Sequence, residues 1–309
     1  MRILVCDPIG TEGKGMLKKA GFILDELIEG DDLSAIVGQY DGIIVRSKTK
    51  VTKDVLKNAK KLKAIARAGS GLDNVDVEEA KRLGIKVMNS PEALTNAVAE
   101  LVVADMIALL RNLPKANKSM KDGKWLKKEL VGRELRGKVV GIVGFGAIGK
   151  RVADLCAAFG ARIIAYDVVK IPEEYIKNGV SQLPVDSVIK QSDIITLHVP
   201  LVNETRAMIN KKTLGSMKKG AILINASRGE VVDEKALLEA LKSGHLAGAA
   251  LDVFEKEPPE ASELVLLPNV LVSPHIGGQT EEAQNEASVI VAKKLIDALE
   301  QAKSHYSKL

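Results

Sequence analysis

Short apolar runs separated by amphipathic helical stretches recur along this chain, and that alternation leaves little choice of architecture. RILVC, FIL, GIIVR, AIARA and KVMNS are strand candidates in the first ninety-odd residues. Helices fit between them near Thr11 to Ala20, from Thr52, and over VDVEEAKRLG, which Gly84 closes. A long, mostly apolar helix then runs from Thr95 to Leu113, where Pro114 is expected to stop it. The rhythm restarts with KVVGIV, ARIIAYD, DIITLHVP, AILINAS, LAGAALDVF and VLVSPHIGG, six further strand candidates. Strands joined through helices pair in parallel, so the pattern predicts an α/β protein of two doubly wound parallel-sheet domains. The 309-residue length agrees, since single cores stop growing near ~250–300 residues.

Several classes of function fit poorly. The start, MRILVCDPIG, reads as a strand entering a turn and lacks the apolar run of a signal peptide, so export is not expected and the reading is cytoplasmic. The longest uninterrupted apolar candidate, Leu101 to Leu110, is broken by Asp105 and too short to span a bilayer, so no membrane role is expected. Basic residues exceed acidic ones by only five and are interleaved with them, and aromatic residues are 3% of the chain, a poor footprint for nucleic acid. Cys6 and Cys156 have no partners at metal-ligand or redox spacing and read as reduced core residues; no metal is expected. The helix after Thr95 is apolar around most of its circumference, which suggests burial between domains or in a homodimer.

The sharpest motif is VVGIVGFGAIGKRVADL, where Gly144, Gly146 and Gly149 stand in G-x-G-x-x-G spacing between an apolar strand and an amphipathic helix. Gly144 permits the turn, Gly146 lets backbone approach a pyrophosphate, and Gly149 allows close packing of helix on strand. The pyrophosphate sits where free N–H groups and the helix dipole attract anions. Asp167 ends the next strand, 18 residues past Gly149, where a carboxylate binds ribose hydroxyls and repels a 2′-phosphate. This half of the chain is read as a Rossmann domain for NAD.

Moving a hydride to or from an alcohol carbon also needs a proton acceptor and a cation for the acid substrate. Of four histidines, His305 lies in the polar tail, His245 in a Ser-Gly turn and His198 at a strand end, leaving His275 in VLVSPHIGG as the best acid/base candidate. Arg228 stands just past a strand, where a guanidinium could grip a carboxylate with two prongs. After GAALDVF, Asp252 is followed by Glu255 and Glu257, either of which could hold the ring of His275 in one tautomer.

GFGAIG with Asp167, then NASRGEVVD, ALDVFEKEP and SPHIGG in that order, resemble the D-isomer-specific 2-hydroxyacid dehydrogenase family. RAGSGLDNVD, VRSKT, VAELVVADMIALLRN and DGKW extend the resemblance over essentially the whole chain and point to its branch acting on a phosphorylated 2-hydroxy acid. The resemblance implies a flavodoxin-like substrate domain formed by residues 1–96 plus 281–309 and an NAD domain, 97–280, that carries dimerisation helices. It assigns the substrate carboxylate and carbonyl to Arg228, the acid/base role to His275, and its partner to Glu257. Ala147, Ile148, Pro200, Ala226, Asp252 and Gly278 line the cofactor by the same token, Ser70 and Gly71 touch substrate through their backbone, and Arg46 serves its phosphate. Lys48 stands where some relatives have a second arginine, and Arg133 is a further candidate for the phosphate. Nothing here resembles the regulatory domain that many such enzymes carry after the catalytic core, so serine feedback through one is not expected. NAD-binding corepressor scaffolds also resemble the family, but a full set of Arg228, Glu257 and His275 points to turnover.

Overall fold

The computed structural model describes residues 1–28, 30–260 and 262–306. Contacts divide the chain into one unit of Met1–Thr95 with Gly278–Leu309 and another of Asn96–Gly277. These limits lie one and three residues from the boundaries drawn on the sequence. Ser307 to Leu309, and the side chain of His305, lie outside what is described.

The first unit holds five parallel strands, β1 (Arg2–Val5), β2 (Ile23–Glu26), β3 (Gly42–Val45), β4 (Ala64–Arg67) and β5 (Lys86–Asn89), in the order β2-β1-β3-β4-β5. That order is flavodoxin-like. Apolar strands such as GIIV, buried along their length, suit a sheet covered on both faces. One face packs Ile3, Val5, Ile44 and Ala66 against α1 (Thr11–Lys19) and the C-terminal helix Glu281–Tyr306, which inserts Ala287, Val291, Leu295 and Leu299. The other face packs Leu4, Ile43 and Ile65 under α2 (Leu33–Ile36), α3 (Lys53–Lys57) and α4 (Val77–Arg82). Asp32, Thr52 and Asp76 start those helices by accepting from backbone N–H groups of the first turn.

In the second unit, β6 (Val139–Val143), β7 (Arg162–Tyr166), β8 (Ser181–Gln182), β9 (Ile194–Leu197), β10 (Ala221–Asn225), β11 (Leu246–Leu251) and β12 (Val270–Val272) form a parallel sheet ordered β12-β11-β10-β9-β6-β7-β8. The strand order reverses between β6 and β9, where open α/β sheets bind ligands. Six strands were legible in the sequence; the two-residue β8 is too short to show a period.

Before that sheet come α5 (Thr95–Leu110) and α6 (Leu113–Lys121). The apolar helix therefore ends at Leu110, three residues before the expected Leu113. Asn112 breaks it in the left-handed region, φ 54°, and Pro114 opens the next helix instead of closing this one. With the turn of 3-10 helix at Pro91–Leu94, the helical stretch Pro91–Leu110 is 20 residues long with mean hydropathy 1.8. Length and composition alone would let it cross a membrane, longer than the ten-residue candidate read from sequence. Half of it is buried in the fold, and it carries Asp105 at 7% exposure.

The helix α7 (Ala147–Ala158) packs on α5 where Cys156 Sγ lies 3.8 Å from Met106 Sδ. Burial pushes both thiols up to about 12, with Asp7 adding to the effect at Cys6, so both stay protonated.

Asp105 faces the opposite pressure from a surface acid. Burial, and then the charge of Asp252, raise its carboxyl to about 7. Unfolding returns it to the ordinary range near 4, so the folded state is penalised above that pH, and the penalty is complete once pH passes 7. Asp105→Asn is therefore expected to leave stability nearly unchanged at pH 4 and to raise it by roughly 2–4 kcal/mol at pH 8. Thermal melts of both proteins across that range check this; a pH-independent difference would contradict it.

Candidate active site

Because all seven strands of the second sheet run the same way, every loop after a strand opens on one edge. The Gly144 turn follows β6, Asp167 follows β7, His198 follows β9, Arg228 follows β10, Asp252 and Glu257 follow β11, and His275 follows β12.

The glycine turn has the shape a dinucleotide needs. Gly144 has φ 95°, and a β-carbon there would sit 2.6 Å from the carbonyl oxygen of His198. One on Gly149 would strike the Gly144 carbonyl oxygen. A β-carbon on Gly146 would meet nothing within 4 Å, so that face is open, and no side chain caps the N-terminus of α7 there. Uncapped N–H groups above an open glycine fit a pyrophosphate. Ala147 is exposed and Ile148 half-buried at the start of the same helix.

Asp167 accepts from Phe145 N at 2.6 Å and Val169 N at 3.0 Å, so it braces the glycine turn as well as ending β7. A carboxylate has about four acceptor positions, which leaves room for ribose hydroxyls. Gln182 of β8 clamps the turn after Asp167, receiving Ile171 N at 2.9 Å and donating to Val169 O at 2.9 Å. The sequence reading missed Gln182 because it missed β8. Pro200 is exposed and Ala226 half-buried, each in a loop on this edge.

The β11 and β12 loops bring His275 and Glu257 together. His275 Nδ1 lies 2.8 Å from Glu257 Oε2, and the other oxygen of Glu257 accepts from Phe254 N at 3.2 Å. A carboxylate only accepts, so Nδ1 carries the proton and Nε2 presents a lone pair. Glu255 takes no part: its backbone N–H and carboxylate pair with Glu234, at 2.8 and 3.4 Å. Of the two glutamates left open by the sequence, the structure brings Glu257 to the histidine.

Asp252 is 2% exposed and holds the histidine loop from beneath. It accepts from Ser273 Oγ at 2.6 Å, Ile276 N at 2.8 Å and Gly277 N at 2.7 Å, and its own carbonyl accepts from His275 N at 2.9 Å. That backbone contact sets the ring's position, with His275 itself at φ 54°. Asp252, read from the sequence as lining the cofactor, thus uses its carboxylate to anchor the loop.

Arg228 is half-buried and donates from Nη1 to Ser227 O at 2.7 Å, while Asn225 fixes its backbone carbonyl at 2.9 Å. A β-carbon on the following Gly229 would overlap the backbone of Phe254 and Glu255, so the arginine loop and the glutamate loop are pressed together. Gly229 is a second residue that the sequence reading passed over; its place beside Arg228 was the only signal. His198 bonds through Nε2 to Thr196 Oγ1 at 2.9 Å, and burial pushes it down to about 4, which keeps it neutral. His245 is half-buried, with Nε2 3.0 Å from Leu214 O, a structural role in place of the exposed turn expected.

Four expected residues lie in the first unit. Arg46 donates from its backbone to Asp7 and from its guanidinium to Pro8 O at 3.5 Å and Gln279 Oε1 at 3.4 Å. Ser70, half-buried like Gly71, accepts through its carbonyl from Asn89 Nδ2. Gly278 falls in this unit too, where its carbonyl accepts from Gln284 Nε2 at 2.6 Å. Arg133 is a correction. It donates to Gly220 O at 3.2 Å, just before β10, on the amino edge of the sheet and away from the loops of Arg228 and His275. A cleft of about 620 Å³ on that amino edge, bordered by Leu109, Arg133, Gly248 and Asn269, is likewise remote from them.

A dinucleotide fold whose loop edge carries an imidazole–carboxylate pair and an arginine fits an NAD-dependent dehydrogenase of hydroxy acids. The chain belongs to the D-isomer-specific 2-hydroxyacid dehydrogenases, whose NAD-binding-domain model matches residues 103–277. It is 44% identical over 307 residues to the hydroxypyruvate reductase of Thermotoga maritima, covering 96% of this chain and 98% of that one. It is 45% identical over 300 residues to the D-3-phosphoglycerate dehydrogenase of Methanocaldococcus jannaschii, covering 96% of this chain but 57% of that one. The crystal structure of D-lactate dehydrogenase from Aquifex aeolicus, complexed with NAD and lactic acid, superposes with a TM-score of 0.85 at 30% identity, covering 98% of each chain.

Glu257→Gln keeps the size of the side chain but removes the charge that faces Nδ1. It is expected to lower kcat by about 10²-fold or more while leaving the KM for NAD within a few-fold. Steady-state kinetics check this, and an unchanged kcat would remove Glu257 from the acid/base pair.

Proposed function

We propose that this dehydrogenase oxidises 3-phospho-D-glycerate to 3-phosphooxypyruvate with NAD, the entry step of serine synthesis. The observation that carries the chemistry is the 2.8 Å contact of His275 Nδ1 with Glu257, which leaves Nε2 as a proton acceptor on the edge that also bears Arg228. The Gly144 turn and Asp167 would hold NAD, whose nicotinamide would supply the hydride acceptor for carbon 2. His275 Nε2 removes the hydroxyl proton, and Glu257 stabilises the imidazolium that forms. Arg228 holds the substrate carboxylate and the developing carbonyl with its planar fork. Asp167 selects NAD by repelling a 2′-phosphate.

For the phosphate, the support is VRSKT, where Arg46 and the exposed Lys48 follow β3, together with the likeness to phosphoglycerate dehydrogenases. Ser70 and Gly71 contribute backbone contacts to the same substrate. A second reading, reduction of hydroxypyruvate or glyoxylate, is favoured by two observations. The relative matched along 98% of its length is a hydroxypyruvate reductase, and Arg133 lies on the wrong edge to serve a phosphate within its own subunit.

The protein is proposed to act in the cytoplasm as a homodimer. Half-buried Leu101 and Ile107 on α5 and the exposed Met120, Trp125 and Val131 after it supply apolar surface for a partner subunit.

The deciding experiment is NADH production from 3-phospho-D-glycerate beside D-glycerate and D-lactate, and the reverse reaction with hydroxypyruvate and glyoxylate, with His275→Ala as control. A preference for the phosphorylated acid is expected. Arg46→Ala should then raise its KM by about 10- to 100-fold, the loss of one charged hydrogen bond, with little change for D-glycerate. Preference for hydroxypyruvate would install the second reading, and no turnover on any of them would point to an NAD-binding scaffold.

A further inference from the structure

The mechanism leaves one buried acid without a task. Asp105 sits in the middle of α5 at 7% exposure, the single charged residue among that helix's buried positions. Two contacts orient its face of the helix. A β-carbon on Gly277 would lie 3.3 Å from a methyl of Val98, and one on Gly248 would lie 3.4 Å from a methyl of Leu109. Val98, Val102, Asp105 and Leu109 follow helical spacing, so this stripe runs along β11 from the amino edge up to the loop that carries His275. Asp105 is thereby set beside the end of β11, where Asp252 stands at 2% exposure. Two carboxylates share one dry region.

Their employment differs. Asp252 holds three donors of the His275 loop, Ser273 Oγ, Ile276 N and Gly277 N. All three bonds use it as an acceptor. Burial, and then the charge of Asp252, raise the Asp105 carboxyl, so Asp105 is the member of the pair that holds a proton. The other titratable groups on elements packed against α5 do not offset the repulsion. Cys156 of α7, against Met106, is a neutral thiol, and His275 above Gly277 has its ring paired with Glu257. Glu100 on α5 itself is exposed, and Arg133 is held at the amino edge by Gly220 O.

We propose that Asp105 is a positioning residue for His275, acting through Asp252: with a proton on Asp105 the Asp252 carboxylate grips the His275 loop firmly, and loss of that proton loosens the grip. The inference rests on the reading of His275 as the acid/base group for its catalytic meaning, but the loop itself reports it independently. Burial and the neighbouring charge put the changeover at about pH 7, where a cell can use it.

The experiment compares the NAD-bound full chain with Asp105→Asn and, as a shape-matched control, Asp105→Leu. Hydrogen exchange of the Ile276 and Gly277 amides is followed from pH 6 to pH 8.5 by NMR, corrected for the intrinsic effect of pH and referenced to β6 amides. The wild-type protection of those two amides is expected to fall by about tenfold across that range, as a like charge develops beside their acceptor, and to stay flat in both variants. The kcat profile should carry a matching descending step in the wild type alone. An infrared titration of the wild-type protein needs no variant: a protonated carboxylic acid band should vanish with a midpoint near neutrality. Equal, pH-independent protection in wild type and variants, or absence of that band at pH 6, would overturn the proposal. If protection moves as stated while His275→Ala retains turnover, the reading of His275 has failed and the coupling of Asp105 to the loop stands.

Discussion

A carboxylate removed from water costs several kcal/mol unless donors replace its hydration. Asp252 meets that requirement with a serine hydroxyl and two successive backbone amides of one loop, and this arrangement places His275. The strength of charge-assisted bonds is used here to hold a backbone in a left-handed turn that a histidine would otherwise avoid. Glu257, held by the backbone N–H of Phe254, then meets the ring at Nδ1.

The first unit uses the same device. Asp7, 4% exposed after β1, accepts from Thr49 N at 3.2 Å and Thr49 Oγ1 at 2.8 Å as well as from the backbone of Arg46. Asn74 ties the same segment from its other side, donating to the carbonyls of Arg46 and Thr49. In a parallel sheet every strand ends at an edge where the chain must turn away with unpaired amides, and a short acid placed just past a buried strand satisfies them without needing regular structure. The Arg46 loop and the His275 loop are each built on such an acid and so are braced from the end of a strand.

Much of this was legible in the sequence because the signals were local and periodic. The apolar runs gave the strands other than β8, and the glycine spacing with Asp167 located the dinucleotide turn through backbone constraints that only glycine satisfies. The end of α5 was misread because Pro114 carries two meanings, terminator and first residue of a new helix, and the left-handed Asn112 that decides between them has no sequence signature strong enough to overrule it. Gln182, Gly229 and the loop-anchoring role of Asp252 were missed for another reason. Each acts across the fold, on residues 11, 25 and 25 positions away in the cases of Ile171, Phe254 and Gly277, and no window of sequence contains both partners. Arg133 shows the converse: its charge suggested a role that its position at the start of β10 rules out within one subunit.

The contact at Gly229 has a consequence for how such an enzyme can be altered. Because the backbone of Phe254 occupies the space a side chain would need, the segment bearing Arg228 and the segment bearing Glu257 form one solid piece. Their spacing cannot drift by single substitutions, and a designer seeking a different distance between Arg228 and Glu257 must transplant both segments together. Substrate range in this scaffold is accordingly free to change at the periphery while the ruler at its centre stays the same length.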